Sequence, residues 1–238
     1  MSRVRRFAGV DGCRRGWVAV VRTPGLAPEI LVETSFVGLA GRLGDCAAVA
    51  VDMPIGLLEA AQRGGRACDA AARALLGPLR ARSVFSPPVR AALRARDYRE
   101  ALAIQRASSS AGIGISVQSW SIAKKIDELD QFVTPDLQQW VLEGHPEVAF
   151  ARLAGAPMSH RKRRSAGREQ RLAVLEAHGW GAHVRTIADW SAPDVARDDV
   201  LDAAVLALTA EAIVTGAAIR LPAEPPCDSR GLRMEIRG

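Results

Sequence analysis

Apolar residues in the N-terminal quarter of the chain cluster in short runs separated by turn residues, the spacing of strands rather than helices. Val4 to Asp11 is the first run; it ends on a carboxylate and turns at Gly12-Cys13. Trp17 to Val21 follows the short link Arg14-Arg15-Gly16, so the two runs read as a hairpin. Turn signals from Thr23 to Pro28 precede a third run, Glu29 to Phe36. Three strands with short connections predict an antiparallel meander. Val37 to Gly44 predicts a short helix. Ala47 to Asp52 is a continuous apolar run, the mark of a strand buried on both faces. It repeats the opening pattern, because it too ends on an acid and then turns, at Met53-Pro54-Ile55-Gly56.

The pattern changes after Leu57. Ala, Leu, Arg and Glu dominate to about Gln131, broken at Gly64-Gly65, Gly77-Pro78, Pro87-Pro88 and Ser108 to Gly114. Helices are predicted near Arg66–Leu76, Pro88–Leu93, Tyr98–Ala107 and Val117–Leu129. Trp140 to His145 predicts another strand, Val148 to Leu153 a short helix, and Ser165 to His178 a further one. The last long helix is expected from Asp198 to Thr215, with Val200, Leu201, Ala204, Val205, Leu208 and Ala212 apolar at helical spacing. Leu232 to Ile236 predicts a short final strand.

At 238 residues, with 48% hydrophobic and 24% charged positions, the chain fits one globular domain spanning 1–238, with a helical insertion at about 57–131. No apolar run approaches the ~20 residues of a membrane-spanning helix. Arg3, Arg5 and Arg6 are not followed by the apolar segment of a secretion signal, so the cytoplasm is the expected compartment. Cys13, Cys46, Cys68 and Cys227 form no CxxC pair, which argues for reduced thiols and against zinc.

The net charge of +6 is uneven. Arginines 73, 80, 82, 90, 94, 96, 99 and 106 face only Asp97 and Glu100. Arg161-Lys162-Arg163-Arg164 with Arg168 and Arg171 is opposed only by Glu169. Such runs attract phosphates, and they also occur as plain solvated faces.

Four acidic stations stand out: Asp11, Asp52, Glu147, and the group Asp198, Asp199 and Asp202. Asp199 and Asp202 are three apart, so they share one helix face and repel. A divalent cation is the usual reason to keep such acids together, and Mg²⁺ takes carboxylate and phosphate oxygens. Singly, each acid has a plainer role: Asp11 and Asp52 in turns, Asp198 or Asp199 as a helix cap, and Glu147 in a first turn. Capping does not explain Asp202, one turn inside its helix, or two buried strands that both end in Asp.

A meander of three strands, a helix, a buried fourth strand, further helix and strand, then an acidic helix is the layout of the ribonuclease H-like α/β fold. In that fold the first and fourth strands are neighbours, which would bring Asp11 beside Asp52. Gly9-Val10-Asp11-Gly12-Cys13-Arg14, Val51-Asp52-Met53-Pro54-Ile55-Gly56-Leu57, Ser83-Val84-Phe85, Gly114-Ile115-Ser116-Val117-Gln118, His145-Pro146-Glu147 and Asp198-Asp199-Val200-Leu201-Asp202-Ala203 occur in that order. In these motifs the chain resembles the DUF429 family, described as predicted nucleases of the ribonuclease H-like fold. Asp199-x-x-Asp202-Ala203 is also similar to the acidic terminal helix of RuvC-type junction resolvases. That likeness implies a metal site of Asp11, Asp52, Asp199 and Asp202. Resolvases carry Glu where this chain has Asp52, one methylene longer.

The expected activity is metal-dependent hydrolysis of nucleic-acid phosphodiesters, DNA or RNA, with Mg²⁺ or Mn²⁺ held by Asp11, Asp52, Asp199 and Asp202. Glu147 is a further ligand or a base orienting water. Arg14, Arg66, Arg73 and Lys162 are expected phosphate contacts, and Ser83, Gln118, Lys125 and His145 polar lining residues. No membrane partner is expected, and a homodimer is allowed. The alternative is a non-catalytic nucleic-acid or protein-binding module retaining the fold. Phosphate transfer of the sugar-kinase or actin type lacks the Gly-rich phosphate loops it would need.

Overall fold

A computed structural model of the chain describes residues 4–238. Arg3, cited above for the N-terminus, lies outside the described residues. In chain order the principal elements are β1 (Arg6–Cys13), β2 (Gly16–Arg22), β3 (Glu29–Glu33), α1 (Phe36–Arg42) and β4 (Cys46–Val51). There follow α2 (Ala67–Arg80), α3 (Tyr98–Ala107), α4 (Val117–Ser121), α5 (Ala123–Phe132) and β5 (Val141–Glu143). The chain continues through α6 (Pro146–Ala154), α7 (Ser165–Leu175), α8 (Val184–Asp189) and α9 (Arg197–Thr215). It divides into two compact units, 1–52 with 139–219 and 237–238, and 53–138 with 220–236.

The first unit is α/β: a five-stranded mixed sheet in the order β3-β2-β1-β4-β5, flanked by helices. β1 pairs antiparallel with β2 and parallel with β4, so the first and fourth strands are neighbours as expected. β4 and β5 are parallel. Because strand side chains alternate between faces, Phe7, Gly9, Asp11 and Cys13 share one face of β1. Their ladder partners Val18 and Val20 on β2, and Ala48 and Ala50 on β4, lie on it too. α9 covers this face. The other face carries Trp17, packed edge-on against Phe36 of α1 with ring centroids 5.0 Å apart.

The helix α9 is buried almost without interruption from Val200 to Ala210, because β1, β2 and β4 lie on one side and α6, α7 and α8 on the other. A helix apolar all round is a core helix. Each fully buried Val or Leu on it contributes on the order of 1.5–3 kcal/mol. Its contact with β1 is unusually close: a Cβ on Gly9 would stand 2.0 Å from the Ala203 carbonyl oxygen. Only glycine lets backbone meet backbone here, and that closeness matters for the site.

The second unit is helical, as its composition predicts, and carries the segment 220–236 along with 53–138. The expected helix at Pro88–Leu93 shortens to a single turn, Arg90–Ala92. The one at Val117–Leu129 breaks at Ile122 into α4 and α5. Serines explain the break: Ser116 caps α4 by accepting from Ser119 N–H, and Ser121 Oγ donates back to the Gln118 carbonyl. No helix among the described residues is long and apolar enough to cross a membrane.

Several expected boundaries shift by a few residues. β3 ends at Glu33 because Ser35 accepts from Gly38 N–H and opens α1. α7 stops at Leu175, ahead of a wide turn over Glu176–Trp180 that Gly179 closes at φ 134°. Cys13, Cys46 and Cys68 are buried and Cys227 exposed, all as free thiols.

Candidate metal centre

Strand parity aims the acids. Asp11 sits two residues beyond Gly9, on the face that α9 covers, and Asp52 continues the Ala48–Ala50 side of β4. The Asp52 backbone N–H donates to the Val10 carbonyl at 2.8 Å, extending the β1–β4 ladder until the two acids are neighbours. Asp202 precedes Ala203, the residue nearest Gly9, so the same close packing brings it against the strand ends. Asp11, Asp52 and Asp202 each place a carboxylate oxygen within 4.8 Å of the others. Asp202 is 2% exposed and Asp11 8%.

Burial and mutual repulsion disfavour three charges here. Burial, then the Asp52 and Asp202 charges, push the Asp11 carboxyl well above the usual carboxylate range. Burial and Asp202 push Asp52 up to about 7. Burial also raises Asp202, although Lys162 works against it. Lys162 Nζ donates to Asp202 Oδ2 at 2.6 Å and lies 3.6 Å from Asp198 Oδ2. Burial opposes its charge, yet Asp202 and Asp11 outweigh that and hold the ammonium more firmly protonated than an ordinary lysine.

These residues fit a divalent cation. Their donors are hard oxygens, the chemistry that Mg²⁺ and Mn²⁺ select. Oxygens on opposite sides of one Mg²⁺ stand about 4 Å apart, so a spread within 4.8 Å needs only small side-chain rotations. The Lys162 ammonium, a cation already seated on the cluster, shows that positive charge is accommodated there.

Two expected members are engaged otherwise. Asp199 accepts the Ala196 N–H at 3.1 Å, the capping role, and is only half-buried. Burial raises its carboxyl to about 6, with the Ala196 N–H pulling the other way. Glu147 forms a buried ion pair with Arg171, which is 1% exposed and also lies over the Phe150 ring. Its charge still reaches the centre, raising Asp52 and Asp202. Glu147→Gln should cost about 2 kcal/mol, the loss of a charged hydrogen bond to a buried partner. Denaturant unfolding would measure this, and an unchanged midpoint would remove Glu147 from the supporting framework.

The residues expected to meet substrate fall into two groups. Arg66 is 1% exposed and donates to Asp69 and to the Ile55 and Gly56 carbonyls, so it clamps the second unit from within and is not free to hold a phosphate. Arg73 donates to the Val84 and Gly64 carbonyls and to Ser86 Oγ, again an internal brace. Ser83 donates to the Arg80 carbonyl, Gln118 is exposed on α4, and Lys125 is half-buried on α5. In the first unit, Arg14 projects into solvent with Asp194 at 3.7 Å, and His145 is the residue before α6. Lys162, also in the first unit, is an expected phosphate contact that does touch the carboxylates, through Asp202.

Sequence reasoning missed Arg171, which it grouped with a basic run expected to attract phosphates or to lie as a plain solvated face. Gly167 is the available signal. A Cβ there would lie 2.0 Å from the Arg161 carbonyl oxygen, so the loop before α7 must cross tightly over the helix. Arg171, four residues on, reaches back to the Gly167 and His160 carbonyls.

The raised carboxyls fix a pH dependence. Their folded-state pKa values exceed the unfolded value of about 4, so the folded protein binds more protons and loses stability as pH rises. For Asp52 the loss runs from about pH 4 to about pH 7. In EDTA, Asp52→Asn should gain stability over the parent across that window and hold a constant advantage above it. Thermal melts of both proteins at a series of pH values check this, and parallel profiles would contradict it.

A family model described as "Protein of unknown function (DUF429)" matches residues 9–226. Neither a curated protein nor a solved structure matches the chain.

Proposed function

The chain belongs to the DUF429 family of unknown function, and from its site we propose a metal-dependent nuclease of the ribonuclease H-like fold. The carrying observation is the convergence of Asp11, Asp52 and Asp202 at neighbouring strand ends under one helix. The sheet order, with β1 beside β4 after an antiparallel meander, supports the fold assignment.

Asp11, Asp52 and Asp202 would hold Mg²⁺ or Mn²⁺. Such an ion polarises a phosphoryl oxygen, activates water near neutral pH and neutralises charge developing on phosphorus. The chain's own contribution is placement. Asp11 and Asp52 ride on rigid, paired strands, and Asp202 on a core helix, so the donors need only small side-chain rotations. The Glu147–Arg171 pair lies close enough for both its charges to act on Asp202. Arg161, Arg163 and Arg164, exposed on the loop that carries Lys162, and Arg14, exposed after β1, offer cations to backbone phosphates.

The test is a substrate panel of single-stranded and duplex DNA, RNA, hybrids and branched junctions, incubated with Mg²⁺ or Mn²⁺. Cleavage that EDTA abolishes, and that Asp11→Asn and Asp202→Asn lose, is the expected result. Cutting of none of these substrates, or unchanged cutting by the two variants, overturns the proposal.

A further inference from the structure

Lys162 is a cation built into a site proposed above to bind a cation. The loop that presents it is fixed rather than loose. Arg164 N–H closes a turn onto the Arg161 carbonyl at 3.0 Å, and Arg161 crosses directly over Gly167. Buried Arg171 holds the His160 carbonyl at 3.1 Å, and Gln170 Oε1 accepts from Ser159 Oγ and His160 N–H. The ammonium is therefore delivered to Asp202 by a braced turn. A second carboxylate also waits nearby. Asp198 lies one helical turn before Asp202 on the same face of α9, half-buried, with Oδ2 3.6 Å from Lys162 Nζ.

We propose that Lys162 is a tethered counter-cation that exchanges with the divalent ion, resting on Asp202 in the metal-free protein and stepping back to Asp198 when the ion enters. This rests on the metal-site reading above and adds its regulation. An ammonium at 2.6 Å takes up one Asp202 carboxylate oxygen and sets its own positive charge beside the centre, so it competes with a divalent ion there. Three clustered acids without any cation would repel, and Lys162 relieves that strain between metal-binding events. The cost is affinity. When only a fraction of molecules have the site open, the apparent dissociation constant rises by the inverse of that fraction. The displaced ammonium stays close enough to the centre to meet a phosphate oxygen of bound substrate.

The experiment measures Mn²⁺ binding directly, by the loss of the free Mn²⁺ electron paramagnetic resonance signal, in the full-length parent, Lys162→Met and Lys162→Gln. Lys162→Gln covers the case in which the methionine variant aggregates, and circular dichroism verifies the fold of each. Removing the ammonium should tighten Mn²⁺ binding by about 10-fold or more, and should lower the melting temperature in EDTA. Mn²⁺ affinity that is unchanged or weaker in both variants, with the parent still binding Mn²⁺, overturns the exchange and leaves the metal site intact. No Mn²⁺ binding by parent or variants overturns both. Tightened binding with no cleavage of any nucleic acid supports the exchange and sinks the nuclease reading.

Discussion

Asp202→Asn should abolish Mn²⁺ binding at micromolar concentrations and lower metal-dependent cleavage by about 10³-fold, which is about 4 kcal/mol of barrier. The amide keeps the size of the side chain, so packing of α9 against β1 is preserved and the change is one of charge. Two consequences separate this from general damage. The neutral residue relieves repulsion on Asp11 and Asp52, whose carboxyls the Asp202 charge raises, so the variant should melt no lower than the parent in EDTA. Lys162 also loses its 2.6 Å partner and keeps Asp198 at 3.6 Å, with the Asp11 and Asp52 charges nearby. Asp199→Ala makes the contrast. Its carboxylate accepts the Ala196 N–H at the start of α9, and losing that acceptor costs about 1 kcal/mol. A stability loss of that size with much smaller effect on Mn²⁺ binding is expected there. If Asp199→Ala weakens Mn²⁺ binding as much as Asp202→Asn does, the three-carboxylate centre must be redrawn with Asp199 inside it.

The parts of this site that were legible in the sequence are those governed by period. Two buried apolar runs, each closing on Asp, declare two strand ends, and the ribonuclease H-like layout that the element order resembles is what made them expected neighbours. Asp202, one turn inside an apolar helix, announces a charge that the core must accommodate. The parts that were not legible depend on which carbonyl a long side chain meets. Arg66 and Arg73 read as members of a phosphate-binding face, yet their partners are the Ile55, Gly56, Gly64 and Val84 carbonyls, turned inward by loops whose path no pattern of residue types encodes. Arginine serves this purpose well because its forked donors can hold several carbonyls at once. Glu147 was equally ambiguous: a first-turn acid, a ligand and half of a buried ion pair all begin with the same residue after a proline. Its partner is 24 residues away, so nothing local could have decided. The helical segment was visible as a compositional change, while its union with 220–236 rests on long-range contacts such as the Gln138 side chain with Arg233 backbone.

Gly9→Ala should destabilise the protein by at least about 3 kcal/mol, beyond the usual range for an added methylene in a packed core, and should disable the metal site as well. The added Cβ would lie 2.0 Å from the Ala203 carbonyl oxygen, 2.2 Å from the Ala207 nitrogen and 2.6 Å from the Leu206 carbonyl carbon. All three are backbone atoms of a buried helix, so no rotamer change can absorb the clash. Either α9 lifts from the sheet or β1 bends away from it, and both separate Asp202 from Asp11. The separation is what makes the variant informative. Under conditions where it remains folded, Mn²⁺ binding should fall with every ligand still present, because the ligands alone are not the site. Gly41→Ala serves as control: nothing lies within 4 Å of the new Cβ, and the residue is inside α1, where Ala is favoured over Gly by about 1 kcal/mol. That control should be neutral or slightly stabilised and bind Mn²⁺ normally. A Gly9→Ala protein that melts like the parent and keeps its Mn²⁺ affinity would mean that the close approach of helix and strand does not set the carboxylate geometry.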